Sequence, residues 1–284
     1  MSSTMRIKFF TLILSFQVFL LQGDLPDPNN LSTTKDNVFF LTTPRSGCNF
    51  ISGCLVAITR KPVWWLNWKM NVYSPTSIHK HHPSYNRLQV PLVDETPLFY
   101  RSHFEYDQLM QIPSDSNKLI FVTRNPKELL YRAFNLQRSG NEENPNVDFV
   151  KTYLDEYLKA FTVFDSWTTT NRCIIFYEDF IASQDDVLIA ILQFMNEEPT
   201  FYEDYLEHKE EYTAKLFESY QRQHEIKLGG RSSIDGPKAI YYTKNASKEV
   251  LHDIDDYLKE HTSSDMWTLY LKRFSEDDRS LNVQ

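Results

Sequence analysis

Arg45, His103 and Arg124 each stand just beyond a short apolar run, and their types suit anion binding and proton transfer. Arg45 lies in Val38-Phe39-Phe40-Leu41-Thr42-Thr43-Pro44-Arg45-Ser46-Gly47-Cys48-Asn49-Phe50. Gly47 permits a tight turn and close approach to a ligand. Ser46 and Asn49 add polar donors, and Arg45 adds fixed positive charge. Arg124 opens Arg124-Asn125-Pro126-Lys127-Glu128 after a second apolar run. The imidazole of His103 titrates near neutrality, so it is of a type that can act as a base. A lone histidine at a strand end is more often a capped or surface side chain.

The elements that must position these residues read as strands followed by helices. Val38–Leu41 is a buried strand that Pro44 stops, since proline has no N–H for a ladder. Ile51, Leu55 and Ile58 then recur at helical spacing, to about Thr59. A strand, a tight turn and a helix start aim free backbone N–H groups at an anion. Leu98–His103 is a short strand ending in cations. Lys118–Thr123 is the clearest buried strand, and Pro126 suits the first turn of the helix after it. Asn146 or Asp148 opens a long helix to about Thr168, with Val150, Tyr153, Leu154, Tyr157, Phe161 and Phe164 on its apolar face. Arg172–Asp179 is a further strand, and Ser183 with Asp185 and Asp186 starts a helix through Met195. This alternation predicts an α/β fold: a three-layer parallel sheet flanked by helices. Ligands of such sheets collect at the strand C-terminal ends, where Arg45, His103, Arg124 and Tyr177 all fall.

A nucleotide-triphosphate loop needs two glycines and a Gly-Lys-Ser/Thr ending, which this turn lacks. The turn resembles instead the 5′-phosphosulfate loop of sulfotransferases that use 3′-phosphoadenosine 5′-phosphosulfate (PAPS), commonly Thr-Tyr-Pro-Lys-Ser-Gly-Thr-Thr-Trp. Arg124-Asn125-Pro126-Lys127-Glu128 resembles the family's second signature, Arg-Asn/Asp-Pro-x-Asp/Glu, which binds the 3′-phosphate. Arg101-Ser102-His103 resembles its Lys-Thr-His, whose histidine is the general base. Phe176-Tyr177-Glu178-Asp179 resembles a segment whose tyrosine lies near the adenine. The resemblance covers Val38 to Phe180 well and the C-terminal third poorly.

It implies the P-loop-like sulfotransferase fold, PAPS as co-substrate with no metal, and sulfuryl transfer to a hydroxyl or amine acceptor. His103 and Arg45 would be catalytic. Arg45, Ser46, Gly47, Cys48, Asn49, Phe50, Arg124, Arg132, Tyr177 and Arg231 would bind the donor. The departures are Cys48-Asn49 for the usual Thr-Thr or Thr-Ser, Phe50 for Trp, and Arg132 where a phosphate-binding Ser is common. Arg231 and Lys238 are loose counterparts of a C-terminal closing segment. The alternative is a secreted, non-catalytic binding protein that keeps the fold.

The chain has 284 residues, enough for one large domain, with 41% hydrophobic and 14% aromatic residues to fill its core. Only 7 glycines exclude a low-complexity chain, and the net charge of −8 argues against a general nucleic-acid binder. Arg6 and Lys8 precede an apolar run from Phe9 to Leu21, too short for the about 20 residues of a membrane span. Residues 1–23 therefore read as a signal peptide or, alternatively, a membrane anchor, and predict secretion or export. Residues 24–37 read as a linker, 38–275 as the domain and 276–284 as a polar tail.

Residues 60–97 read as irregular, with Trp64, Trp65, Trp68 and Tyr73 walling an acceptor pocket in the family reading. His79, His81 and His82 there have a poor spacing for a metal. Residues 197–225 read as solvated helix or loop. Cys54 and Cys173 read as buried thiols, and Cys48 lies in the loop. Asn30 and Asn245 begin glycosylation sequons.

Overall fold

The computed structural model describes residues 37–65, 88, 90–93, 96–103, 106–110, 112, 114–137, 144–216, 243 and 246–275. The expected targeting segment, most of the linker, Trp68, Tyr73, the three histidines, both sequon asparagines, Arg231, Lys238 and the polar tail lie outside the described residues.

In chain order the elements are β1 (Asn37–Thr42), α1 (Cys48–Thr59), β2 (Val63–Trp65), β3 (Phe99–Ser102), α2 (Tyr106–Leu109) and β4 (Asn117–Thr123). They continue as α3 (Pro126–Gln137), α4 (Val147–Ser166), β5 (Arg172–Phe176), α5 (Tyr177–Ala182), α6 (Gln184–Met195), α7 (Tyr202–Glu207) and α8 (Lys248–Glu260). The strands form one sheet in the order β2-β3-β1-β4-β5, every pair parallel. Phe39 sits level with Tyr100 on one side and Leu119 on the other. All the strand C-termini therefore share one edge. The chain fills one side of β1 with β2 and β3, then crosses to the other side for β4 and β5. Ligand sites in such sheets lie at the carboxyl edge where the order reverses.

The apolar runs of β1 and β4 are buried on both faces, which is why they read as continuous rather than alternating. Val38, Phe40, Ile120 and Val122 face α1 and α6. Phe39, Leu41, Leu119 and Phe121 face α4 and α8. The result is the three-layer parallel α/β architecture that the alternation of strands and helices predicts. The Asn146 side chain caps α4 by accepting from the Phe149 N–H at 2.8 Å, and Val150, Leu154, Tyr157, Phe161 and Phe164 line its buried face.

Three local expectations are corrected. The irregular stretch after Arg60 contains β2, an edge strand of three residues that pairs with β3; so short a strand leaves little periodicity to read. The segment after Glu197 is not simply solvated. Tyr205, Tyr212 and Leu216 are buried, and Leu216 packs where a side chain on Gly53 of α1 would stand. Acidic residues between those apolar positions masked the buried face. The strand expected over Arg172–Asp179 ends at Phe176, and Tyr177-Glu178-Asp179 open α5 instead. Acidic residues suit that first helical turn. Ser183 precedes α6 without a capping side-chain bond. Cys54 is buried, and burial pushes its thiol up to about 12. Cys173 is only half-buried by surface, though desolvation raises its thiol as well.

Candidate active site

The first loop leaves β1 at Thr42. The Thr43 N–H donates to the Val122 carbonyl at 3.1 Å, which anchors the loop to β4. Arg45 then adopts φ +73, and Gly47 φ +78. A non-glycine residue in that region costs of order 1 kcal/mol or more and persists only where its surroundings impose it. Ser46 is fully buried, and both its N–H (3.3 Å) and its hydroxyl (2.8 Å) donate to the Thr43 carbonyl. In this structure its proton closes the turn. Among the described residues the N–H groups of Gly47, Cys48 and Asn49 find no acceptor. The buried Asn49 Oδ1 likewise has no partner. No side chain caps α1, and no acidic residue lies in its first turn. Such a helix start with a strained cationic turn before it fits an anionic ligand.

Gly47 also faces the ring of Tyr177. A Cβ there would lie 2.3 Å from the Tyr177 Cδ2. The substitution Gly47→Ala is expected to lower stability by about 1–3 kcal/mol, through positive-φ strain and this clash. Chemical denaturation checks it, and a loss below about 0.5 kcal/mol would show that the loop yields freely.

His103 follows β3 and reaches across to β1. Its Nδ1 lies 2.6 Å from Thr42 Oγ1 and 3.3 Å from the Thr42 carbonyl. Its Nε2 lies 3.1 Å from Nη2 of Arg101. Arginine can only donate, so Nε2 carries the lone pair and the proton sits on Nδ1. The Thr42 hydroxyl fits this assignment, since it donates onward to the Ser102 carbonyl at 3.3 Å. Arg101 is fully buried, and its Nη2 also stands 2.6 Å from the Cys48 sulfur. Cys48, itself buried, thus joins the first loop to the histidine.

The second loop leaves β4 at Thr123. Arg124 and Asn125 are buried. The Arg124 guanidinium lies 4.9 Å from the Tyr177 ring centroid, and its Nε is 3.6 Å from Glu178 Oε1. Glu178 also accepts from the Asn125 N–H at 3.1 Å. Burial raises the Glu178 carboxyl above its ordinary range, while Arg124 and the Asn125 N–H pull it back. A buried chain of hydroxyls ties the loops together: Thr43 to Thr123 at 3.1 Å, Thr123 to the Tyr157 hydroxyl at 3.3 Å, and Tyr157 to the Arg124 carbonyl at 3.1 Å. Burial keeps the Tyr157 phenol protonated. Phe50 is half-buried and meets Phe180 edge-on, with centroids 5.7 Å apart.

Arg45, His103, Arg124 and Tyr177 thus gather at one edge of the sheet, as their strand ends require. Arg132 lies on α3, half-buried. The phenol of Tyr153 is pushed up chiefly by burial and next by Tyr106, while the charges of Arg132 and Arg45 act the other way. Sequence reasoning placed Tyr153 in the core and gave no role to Arg101, Thr42 or Glu178. A signal for Arg101 existed: residues two apart on a strand share a face, so Arg101 accompanies His103. Thr42 and Glu178 carried no comparable signal. Among the described residues no group of three His, Cys, Asp or Glu is placed to hold a metal ion.

The family model described as the sulfotransferase domain matches residues 35–261. The chain belongs to the sulfotransferase domain family. Among solved structures it is similar to a retinol dehydratase in complex with retinol and PAP, at 15% identity and TM-score 0.49, over 81% of this chain and 82% of that one. A mouse sulfotransferase complexed with PAP aligns at 13% identity and TM-score 0.42, over 85% and 90%. The sulfotransferase domain from the curacin biosynthetic pathway aligns at 16% identity and TM-score 0.39, over 86% and 99%. No curated protein matches the chain.

Proposed function

We propose that this chain transfers a sulfuryl group from PAPS to a hydroxyl or amine acceptor, with His103 as general base. The observation that carries the reading is the hydrogen-bond frame of His103. Thr42 holds its Nδ1 and Arg101 faces its Nε2, so the basic nitrogen lies beside the buried guanidinium that also reaches Cys48 of the first loop. PAPS, when bound, supplies an activated sulfonate and a phosphate leaving group.

The remaining work belongs to this chain's side chains and backbone. An acceptor hydroxyl takes the place of the Arg101 N–H at Nε2 and gives up its proton there. Arg101 is then beside the oxygen that becomes negative, where a buried guanidinium stabilises it. Arg45 and the N–H groups of Gly47, Cys48 and Asn49 hold the 5′-phosphate and its growing charge. The contribution of the Arg45 guanidinium is electrostatic. Arg124 grips the 3′-phosphate. Arg132 of α3 adds positive charge for the same phosphate.

Isothermal titration with 3′-phosphoadenosine 5′-phosphate (PAP) tests the donor site. The wild type is expected to bind, and Arg45→Ala and Arg124→Ala are each expected to weaken binding by about 10- to 100-fold, the worth of a charge-assisted hydrogen-bond pair. A folded sample that takes up no PAP would sink the reading.

A further inference from the structure

Two consecutive side chains at the start of α5 touch both anion loops. The ring of Tyr177 lies against Gly47 of the first loop, where a Cβ would come within 2.3 Å of it. Arg124 of the second loop stacks on the same ring, its Cζ 4.9 Å from the centroid. One aromatic ring therefore sets the spacing between the loops. The carboxylate of Glu178 takes the other contacts: the Asn125 N–H at 3.1 Å and the Nε side of Arg124 at 3.6 Å. The next residue, Asp179, is fixed from behind by two hydrogen bonds from Arg273, at 2.9 and 2.6 Å. Arg273 in turn stacks over Phe176 and Phe274. The step is braced, so its two side chains are rigid references for the loops.

A guanidinium is planar, and its rotation decides which N–H groups meet a ligand. A carboxylate at ion-pair distance from Nε, 3.6 Å and beyond a hydrogen bond, and an aromatic face beside the guanidinium both bias the orientation of Arg124. The same carboxylate holds the Asn125 N–H, a backbone donor at the start of α3. Discrimination at this loop then falls on the Arg124 side chain.

We propose that Glu178 is a positioning residue that makes the second loop selective for a nucleotide carrying a 3′-phosphate, with Tyr177 as the spacer between the loops. The inference rests on the donor-site reading above and deepens it. Without Glu178 the guanidinium loses the carboxylate that biases its orientation, and a 3′-phosphate gains less over its absence. The 5′ end, held by the first loop, is unaffected.

The test compares PAP with adenosine 5′-monophosphate, which differs only in lacking the 3′-phosphate. Affinities are measured by titration for the wild type, Glu178→Ala, Glu178→Gln and Glu178→Asp. The wild type should favour PAP. In Glu178→Ala the PAP preference should fall by about tenfold, almost entirely through weaker PAP binding, the worth of aligning one charged contact to the ligand. Donor KM should rise in parallel, with kcat at saturating PAPS within about threefold of wild type. Glu178→Gln still accepts from the Asn125 N–H and should keep most of the preference. Glu178→Asp draws the carboxylate back by one methylene and should lose part of it, which gives a second reading if the alanine variant folds poorly. A PAP preference unchanged in both Glu178→Ala and Glu178→Asp would overturn the proposal while leaving the donor site intact. A wild type that binds neither nucleotide would overturn the donor-site reading itself, and this proposal with it.

Discussion

Replacing His103 by alanine is expected to lower turnover by about 10²–10⁴-fold, the usual worth of a positioned general base. PAP affinity should stay within about threefold, because the phosphate-binding groups belong to other residues. The reason lies in the hydrogen bonds around the ring. The Thr42 carbonyl and hydroxyl accept from Nδ1, which keeps the lone pair on Nε2. Arg101 faces that lone pair at 3.1 Å and, being an obligate donor, excludes a proton from it. The ring is thus aligned with its lone pair on Nε2, the arrangement the proposed base needs. The measurement is steady-state turnover beside PAP titration on the same preparation. Full turnover in the variant would remove His103 from the chemistry. Loss of PAP binding along with turnover would show instead that the histidine holds the first loop, through Arg101 and Cys48.

The course of the chain was legible because β1 and β4 are buried on both faces. Runs such as Phe39-Phe40-Leu41 and Ile120-Phe121-Val122 have no other use in a domain of this size, and each ends where polar residues begin. That placed Arg45, His103 and Arg124 at strand ends, and the parallel sheet brought the ends together. Contacts made across the sheet were not legible. Arg101 reads as a solvated cation in isolation, yet it is fully buried, held by Cys48 from another strand's loop. The Ser46 hydroxyl looks like a ligand donor, but the turn's own geometry brings it to the Thr43 carbonyl. Glu178 reads as one more acidic residue until α5 sets it against Arg124 and Asn125. In each case the partner is supplied by tertiary packing, which no local pattern records.

The second large effect is expected at Lys127, where the chemistry is structural. Lys127 fills the variable position of Arg124-Asn125-Pro126-Lys127-Glu128, and its side chain is fully buried. Its ammonium lies 2.7 Å from Asp255 of α8 and 3.0 Å from the Phe274 carbonyl. Next to it Glu128, also buried, accepts from the Thr243 hydroxyl. The second loop is therefore pinned to the C-terminal part of the chain on its protein side. The substitution Lys127→Met keeps most of the stem's volume and removes the charge, leaving Asp255 buried without its cation. Breaking a buried pair in this way costs about 3–5 kcal/mol. Urea denaturation should show a loss of this size, and a loss below about 1 kcal/mol would mean that Asp255 finds another partner at little cost. Adding Asp255→Leu should recover part of the loss, since two apolar side chains can replace a buried pair. Ligand affinity should change far less than stability. The main-chain N–H of Lys127 still donates to the Asn125 side chain at 3.0 Å, and Glu178 and Tyr177 still hold Arg124 from the other side. One short loop thus has two ends with separate duties: Arg124 is the proposed ligand contact, and Lys127 anchors the helix that carries it.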